Sequence, residues 1–109
     1  MIGMLLSDML IGLGHSVCAV ERTEAGAVTA AARFQPELMI VDVHLKVGSG
    51  ISAVDTILGD RFIPHVFVTG DRFGTRRRTP GDIVVEKPFR EIDLLEAIKR
   101  ATVSQQDTR

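Results

Sequence analysis

The sequence predicts an α/β domain with a parallel sheet and helices on both faces. Three observations predict this class: helix-like and strand-like segments alternate throughout, no linker or repeat divides the chain, and 109 residues suffice for one domain. Hydrophobic residues make up 45% and charged residues 25%, an ordinary globular balance. The net charge of -1 gives no general attraction to nucleic acid or anionic membranes, and no apolar stretch reaches membrane-spanning length.

The first third of the chain predicts a helix, a short strand and a second helix. Apolar residues recur at helical spacing over Met4–Leu13, and Gly14 can end this helix. The segment His15–Val20 is rich in small and β-branched residues, which favours a strand. Thr23 can cap a second helix over the alanine-rich Ala25–Phe34. The following proline, two residues on, should end that helix.

The middle of the chain predicts two buried strands joined through a helix. Leu38–Val41 is continuously apolar, as expected of a strand covered on both faces. A loop with two glycines, His44–Gly50, leads into a short helix over Ile51–Leu58. Pro64–Thr69 has the composition of a second buried strand. The order so far favours parallel strands with right-handed crossovers.

The C-terminal part predicts an irregular segment, a strand and a closing helix. Gly70–Gly81 is polar and basic, so a fourth helix should be short or absent. Ile83–Val85 predicts a strand, and Glu91–Ala101 predicts a helix. The apolar positions expected on its inner side are Ile92, Leu94, Leu95 and Ile98. We divide the chain into a domain over residues 1–103 and a polar tail over residues 104–109.

Three polar side chains stand at the ends of three predicted strands. Asp42, Thr69 and Lys87 each follow or end such a run. Singly, each has an ordinary explanation as a turn, cap or surface residue. Because chemistry in parallel sheets gathers at the carboxyl ends of the strands, we expect the three together in one cleft. A carboxylate can carry a phosphoryl group, an ammonium can balance its charge and a hydroxyl can donate to its oxygens.

Three stretches with these residues resemble the receiver domains of two-component response regulators. The stretches are PELMIVDVHLKVGSGI, HVFVTGD and VVEKPF, and the resemblance extends over essentially the whole chain. It implies a flavodoxin-like, CheY-like fold. It also implies that Asp42 is the phosphoacceptor, Thr69 the switch hydroxyl and Lys87 the charge partner. The backbone carbonyl of His44, with Asp42, would bind Mg²⁺, and the Lys87–Pro88 peptide would be cis.

The resemblance implies a signalling protein of the cytoplasm that is not an enzyme. It would take a phosphoryl group from a histidine kinase or a histidine phosphotransfer protein and act by protein contact. Cys18 is the only cysteine, which suits a reducing compartment. HVFVTG and the loop after it are also similar to an alphaproteobacterial subgroup of single-domain receivers with a Phe-Ala-Thr-Gly-type motif. A nucleotide-binding enzyme is disfavoured, because Gly12 and Gly14 lack a third glycine and do not follow a strand.

The sequence departs from the family pattern in its first strand, its acidic pair and one aromatic position. Met1 already lies at the start of the predicted first helix, so the central first strand and the acidic residues after it are missing. We expect truncation or a misassigned start, direct pairing of the two flanking strands, or a homodimer that completes both sheets. Val84 occupies the aromatic switch position. The alternative function is therefore a non-phosphorylated pseudo-receiver that binds a protein partner.

Overall fold

The fold is centred on three parallel strands. The computed structural model describes residues 10–12, 14, 16–17, 19–43, 46–70 and 83–105. The strands are β1 (Met39–Asp42), β2 (His65–Thr69) and β3 (Val84–Glu86), in the order β1-β2-β3. Ile40 lies opposite Val66, and Val68 lies opposite Val85. Each strand begins within one residue of its predicted start, because continuous apolar runs mark strands buried on both faces.

Besides the helical residues 10–12, three helices are described over their full length. They are α1 (Glu24–Phe34), α2 (Gly50–Leu58) and α3 (Glu91–Arg100). A π-helical turn, Ala101–Gln105, continues α3 and reaches two residues into the predicted polar tail. Thr23 caps α1 as predicted, because its hydroxyl oxygen accepts a hydrogen bond from the Gly26 N–H at 3.0 Å.

The two faces of the sheet carry separate apolar cores. On one face the β-strand residues Met39, Val41 and Phe67 pack with Val54 and Ile57 of α2 and with side chains of α1. On the other face, four strand residues pack against α3 and against Leu10; these residues are Ile40, Val66, Val68 and Val85. Residues 10–12 are helical, and Gly14 follows with φ +95, so the predicted helix stop is confirmed. Helices on both faces of a parallel sheet confirm the predicted fold class.

The prediction that Ile92 lies on the inner side of α3 is wrong. Leu94 is fully buried and Ile98 is 5% exposed, but Ile92 is 48% exposed. Ala97, which the prediction passed over, is buried instead. A helix lying on a sheet buries only one narrow stripe, and Ile92 lies two positions before Leu94, about 200° round the helix.

The strand predicted at His15–Val20 is also wrong over its described residues. Ser16, Val17, Ala19 and Val20 belong to no strand of the described sheet. A strand requires a hydrogen-bonded neighbour. This segment and the start of β1 both line a groove of about 520 Å³. The residues that line it include Val17 and Ala19 of this segment and Leu38 and Ile40 at the start of β1. Among the described residues, no strand pairing is formed between the two flanking segments.

Some predictions lie outside the described residues. They are the N-terminal part of the first helix (residues 4–9), the positions of His15 and Cys18, the short or absent fourth helix (residues 71–82) and the end of the polar tail (residues 106–109). None of the described helices is both long and apolar enough to span a membrane.

Candidate functional site

Asp42 and Lys87 form an ion pair at the carboxyl edge of the sheet. Asp42 ends β1, and Lys87 directly follows β3. The Lys87 Nζ lies 2.8 Å from Asp42 Oδ2, and the two side chains are 48% and 33% exposed. The Lys87–Pro88 peptide bond is cis, as the resemblance implies. The geometry therefore joins two of the three predicted site residues directly.

Thr69 lies between these two residues in the sheet. It ends the central strand β2, directly after Val68, the register partner of Asp42. The Lys87 N–H donates to the Thr69 carbonyl at 2.7 Å, which fixes the backbone of the lysine beside the threonine. Thr69 is fully buried. The fold thus brings all three predicted residues to one edge of the sheet, with the hydroxyl-bearing residue shielded from bulk water.

The described residues do not by themselves suit a magnesium ion. Mg²⁺ prefers a near-octahedral oxygen shell that usually combines one or two carboxylates with water. The described part of the chain contains no group of three His, Cys, Asp or Glu residues able to hold a metal. The predicted ligand His44 lies outside the described residues. Asp42 alone is a weak donor set, so the magnesium site stays a prediction.

The loop after β1 returns tightly to the backbone of Asp42. The Val43 N–H donates to the Val68 carbonyl at 2.9 Å, and the Gly50 N–H donates to the Val43 carbonyl at 3.0 Å. Gly50 is buried with its Cα against the backbone of Asp42, where an added Cβ would overlap the Asp42 carbonyl oxygen. Glycine at this position is therefore required by close approach and not by an unusual φ.

Sequence reasoning missed the residues that hold this loop to α1. The Glu24 carboxylate accepts hydrogen bonds from the Ser49 N–H at 3.1 Å and from the Ser52 hydroxyl at 2.7 Å. Ser49 in turn caps α2, because its hydroxyl oxygen accepts from the Ile51 N–H at 3.1 Å. The serine before a helix was a readable capping signal. The role of Glu24 had no such signal, because its partners lie 25 and 28 positions away.

Lys87→Met is expected to change the free energy of unfolding by less than about 1 kcal/mol. Both partners of the ion pair are substantially exposed, and such pairs contribute little to stability. Chemical denaturation of the wild-type chain and the variant measures the difference. Lys99→Met, at an exposed position of α3, is the control for loss of one positive charge. A loss of several kcal/mol specific to Lys87→Met would show that the pair is structural.

Comparisons with known proteins place the chain among response regulators. No protein-family model matches the sequence. The chain is 34% identical over 113 residues to the phyllosphere-induced regulator PhyR of Methylorubrum extorquens, covering all of this chain and 42% of that protein. It is 35% identical to the receiver domain of the Erythrobacter litoralis PhyR response regulator, with a TM-score of 0.79, covering 90% of this chain and 78% of that domain. The chain belongs to the receiver-domain family of response regulators.

Within that family, the chain is similar to the receiver domains of PhyR proteins. A further example is the anti-anti-sigma factor PhyR of Bartonella quintana, 31% identical with a TM-score of 0.76, covering 96% of this chain and 44% of that one. The predicted receiver-domain resemblance is confirmed. The chain spans less than half the length of the Methylorubrum and Bartonella proteins. Membership of the single-domain subgroup stays a prediction.

Proposed function

We propose that Asp42 accepts a phosphoryl group from a histidine kinase or a histidine phosphotransfer protein, and that the chain then signals by protein contact. The observation that carries the proposal is the 2.8 Å contact between the Lys87 ammonium and Asp42 at the carboxyl edge of the sheet. Thr69 stands at the same edge, at the end of the strand between them. Carboxylate, ammonium and hydroxyl are the groups that formation and sensing of an acyl phosphate require.

The proposed transfer replaces a phosphorus–nitrogen bond with a phosphorus–oxygen bond. A carboxylate oxygen of Asp42 attacks the phosphorus of a phosphohistidine, and the imidazole leaves and takes up a proton from solvent. Lys87 then faces the added negative charge of the acyl phosphate. A hydrogen bond from the Thr69 hydroxyl to a phosphoryl oxygen exists only in the phosphorylated state. Such a differential interaction is what shifts a two-state equilibrium.

The downstream contact that we propose is an anti-sigma factor. Support comes from the Bartonella quintana relative, which is described as an anti-anti-sigma factor. Because this chain spans less than half of that protein, the contact is proposed by similarity and not from a described surface. Purified chain mixed with an anti-sigma factor of the same organism, before and after phosphorylation, tests it by co-elution. Equal binding in both states would contradict control by phosphorylation.

Acetyl phosphate tests whether Asp42 takes a phosphoryl group. The wild-type chain should gain the mass of one phosphoryl group by intact mass spectrometry, with acetate as the leaving group. Asp42→Asn has no nucleophilic carboxylate and should gain none, while Asp55→Asn, at an exposed position of α2, should still react. Incubation with and without Mg²⁺ tests the magnesium prediction. Equal labelling of wild type and Asp42→Asn would contradict the assignment of Asp42.

A pseudo-receiver that binds a partner without phosphorylation is the second candidate. The observation in its favour is that the described part of the chain offers no three-ligand metal group beside Asp42. It predicts no mass gain from acetyl phosphate under any condition.

A homodimer also stays a prediction. Light scattering after size-exclusion chromatography measures the mass of the chain in solution and tests it.

A further inference from the structure

The loop that follows Asp42 is tied to the segment before α1 by backbone bonds. The Lys46 N–H donates to the Arg22 carbonyl at 2.9 Å, and the Glu24 N–H donates to the Val47 carbonyl at 2.9 Å. Thr23 and Val47 form an isolated parallel bridge. Residues 46–47 of the loop are thus bound to the segment before α1, whereas the two ends of the loop are joined by the hydrogen bond between Gly50 and Val43.

The Glu24 side chain provides a second anchor, where the loop leads into α2. Its two carboxylate oxygens accept from separate groups, Oε1 from the Ser49 N–H and Oε2 from the Ser52 hydroxyl. These bonds, chiefly the one from the Ser49 backbone, hold the pKa of Glu24 below its usual value. Gly48 has φ +90, and a Cβ there would lie 2.5 Å from the Glu24 Cβ. Glycine at 48 therefore lets the loop lie directly on the glutamate.

A short covalent path connects this anchor to the phosphoacceptor. Ser49 is followed by Gly50, whose Cα lies against the Asp42 backbone and whose N–H bonds to Val43. Displacement of the serine by loss of its partner would move the glycine and, with it, the backbone that carries Asp42. Phosphoryl transfer depends mainly on positioning, and displacements of about 1 Å can cost two orders of magnitude in rate.

We propose that Glu24 is a positioning residue for Asp42, which acts by holding Ser49 and Ser52 and through them the loop packed on the phosphoacceptor. The inference rests on the proposed phosphorylation of Asp42. It assigns to the start of α1 a role in the reaction that neither the sequence pattern nor the ion pair with Lys87 indicates. Glu24 does not touch the reacting atoms, so its effect should appear in rate and loop dynamics.

Initial rates of Asp42 phosphorylation by acetyl phosphate test the proposal. Glu24→Ala should lower the rate roughly three- to tenfold, because two hydrogen bonds to the loop are lost. Glu24→Gln keeps an oxygen for the Ser49 N–H and an amide that can donate to the Ser52 oxygen, so it should restore most of the rate. Glu91→Ala is the matched control, since Glu91 is likewise the first residue of a helix, α3, and is exposed. Its rate should stay within about twofold of wild type.

Hydrogen exchange separates positioning from a general loss of stability. In Glu24→Ala the Ser49 amide should exchange faster, while amides of β2 keep wild-type protection. Should this variant unfold under assay conditions, Ser52→Ala removes one exposed bond and takes its place. An unchanged rate, or a Gln variant as slow as Ala, would overturn the role of Glu24. A wild-type chain that takes no phosphoryl group would instead overturn the proposed function.

Discussion

Gly50→Ala should lower the free energy of unfolding by about 3 kcal/mol. The added Cβ would overlap the Asp42 carbonyl oxygen and lie 2.7 Å from Val41 Cγ1. Both neighbours belong to β1, whose backbone is fixed by its pairing with β2. Neither a carbonyl nor a fully buried valine can yield without loss of hydrogen bonds or packing, so α2 must shift outward. The melting temperature should fall by roughly 12–24 °C for a domain of this size.

Gly59→Ala is the matched control at the other end of the same helix. Gly59 has φ -65 in the right-handed region, and its added Cβ would lie 3.3 Å from the Thr56 carbonyl oxygen and 3.6 Å from that of Asp55. Alanine restricts the unfolded chain, a gain of about 0.4–1 kcal/mol that offsets this modest crowding. Calorimetry should therefore show a change within about 1 kcal/mol. Equal melting shifts for both variants would contradict the close-approach argument.

The strands and the pair Asp42–Lys87 could be predicted because their signals are local. A continuous apolar run marks a buried parallel strand, and a polar residue directly after it stands at the carboxyl edge wherever the fold is of this class. Topology then supplies the long-range step, since three such ends in parallel neighbours must lie together. The order β1-β2-β3 meets that condition for Asp42, Thr69 and Lys87.

The two errors and the missed loop anchor have different physical origins. His15–Val20 has the composition of a strand, but a strand also requires a neighbour, and composition does not report whether one is present. Glu24 was missed because its carboxylate acts on backbone and hydroxyl groups far along the chain, which no local spacing encodes. The error at Ile92 concerns rotation: periodicity identifies an apolar stripe, but only packing on the sheet selects its centre.

Leu94→Ala tests that rotation, and it should lower the free energy of unfolding by about 3 kcal/mol. Leu94 is fully buried in the core that includes Val66 and Val68 of the central strand, so truncation leaves a cavity that the surrounding sheet cannot fill. Ile92→Ala removes a side chain of equal size from the same helix, but its residue is 48% exposed and should cost about 1 kcal/mol or less. Both variants gain alanine, and leucine and isoleucine differ in helix propensity by only a few tenths of a kcal/mol, so the difference between their denaturation midpoints reports mainly burial. Equal losses would mean that α3 is rotated from the orientation described, with Ile92 turned toward the sheet.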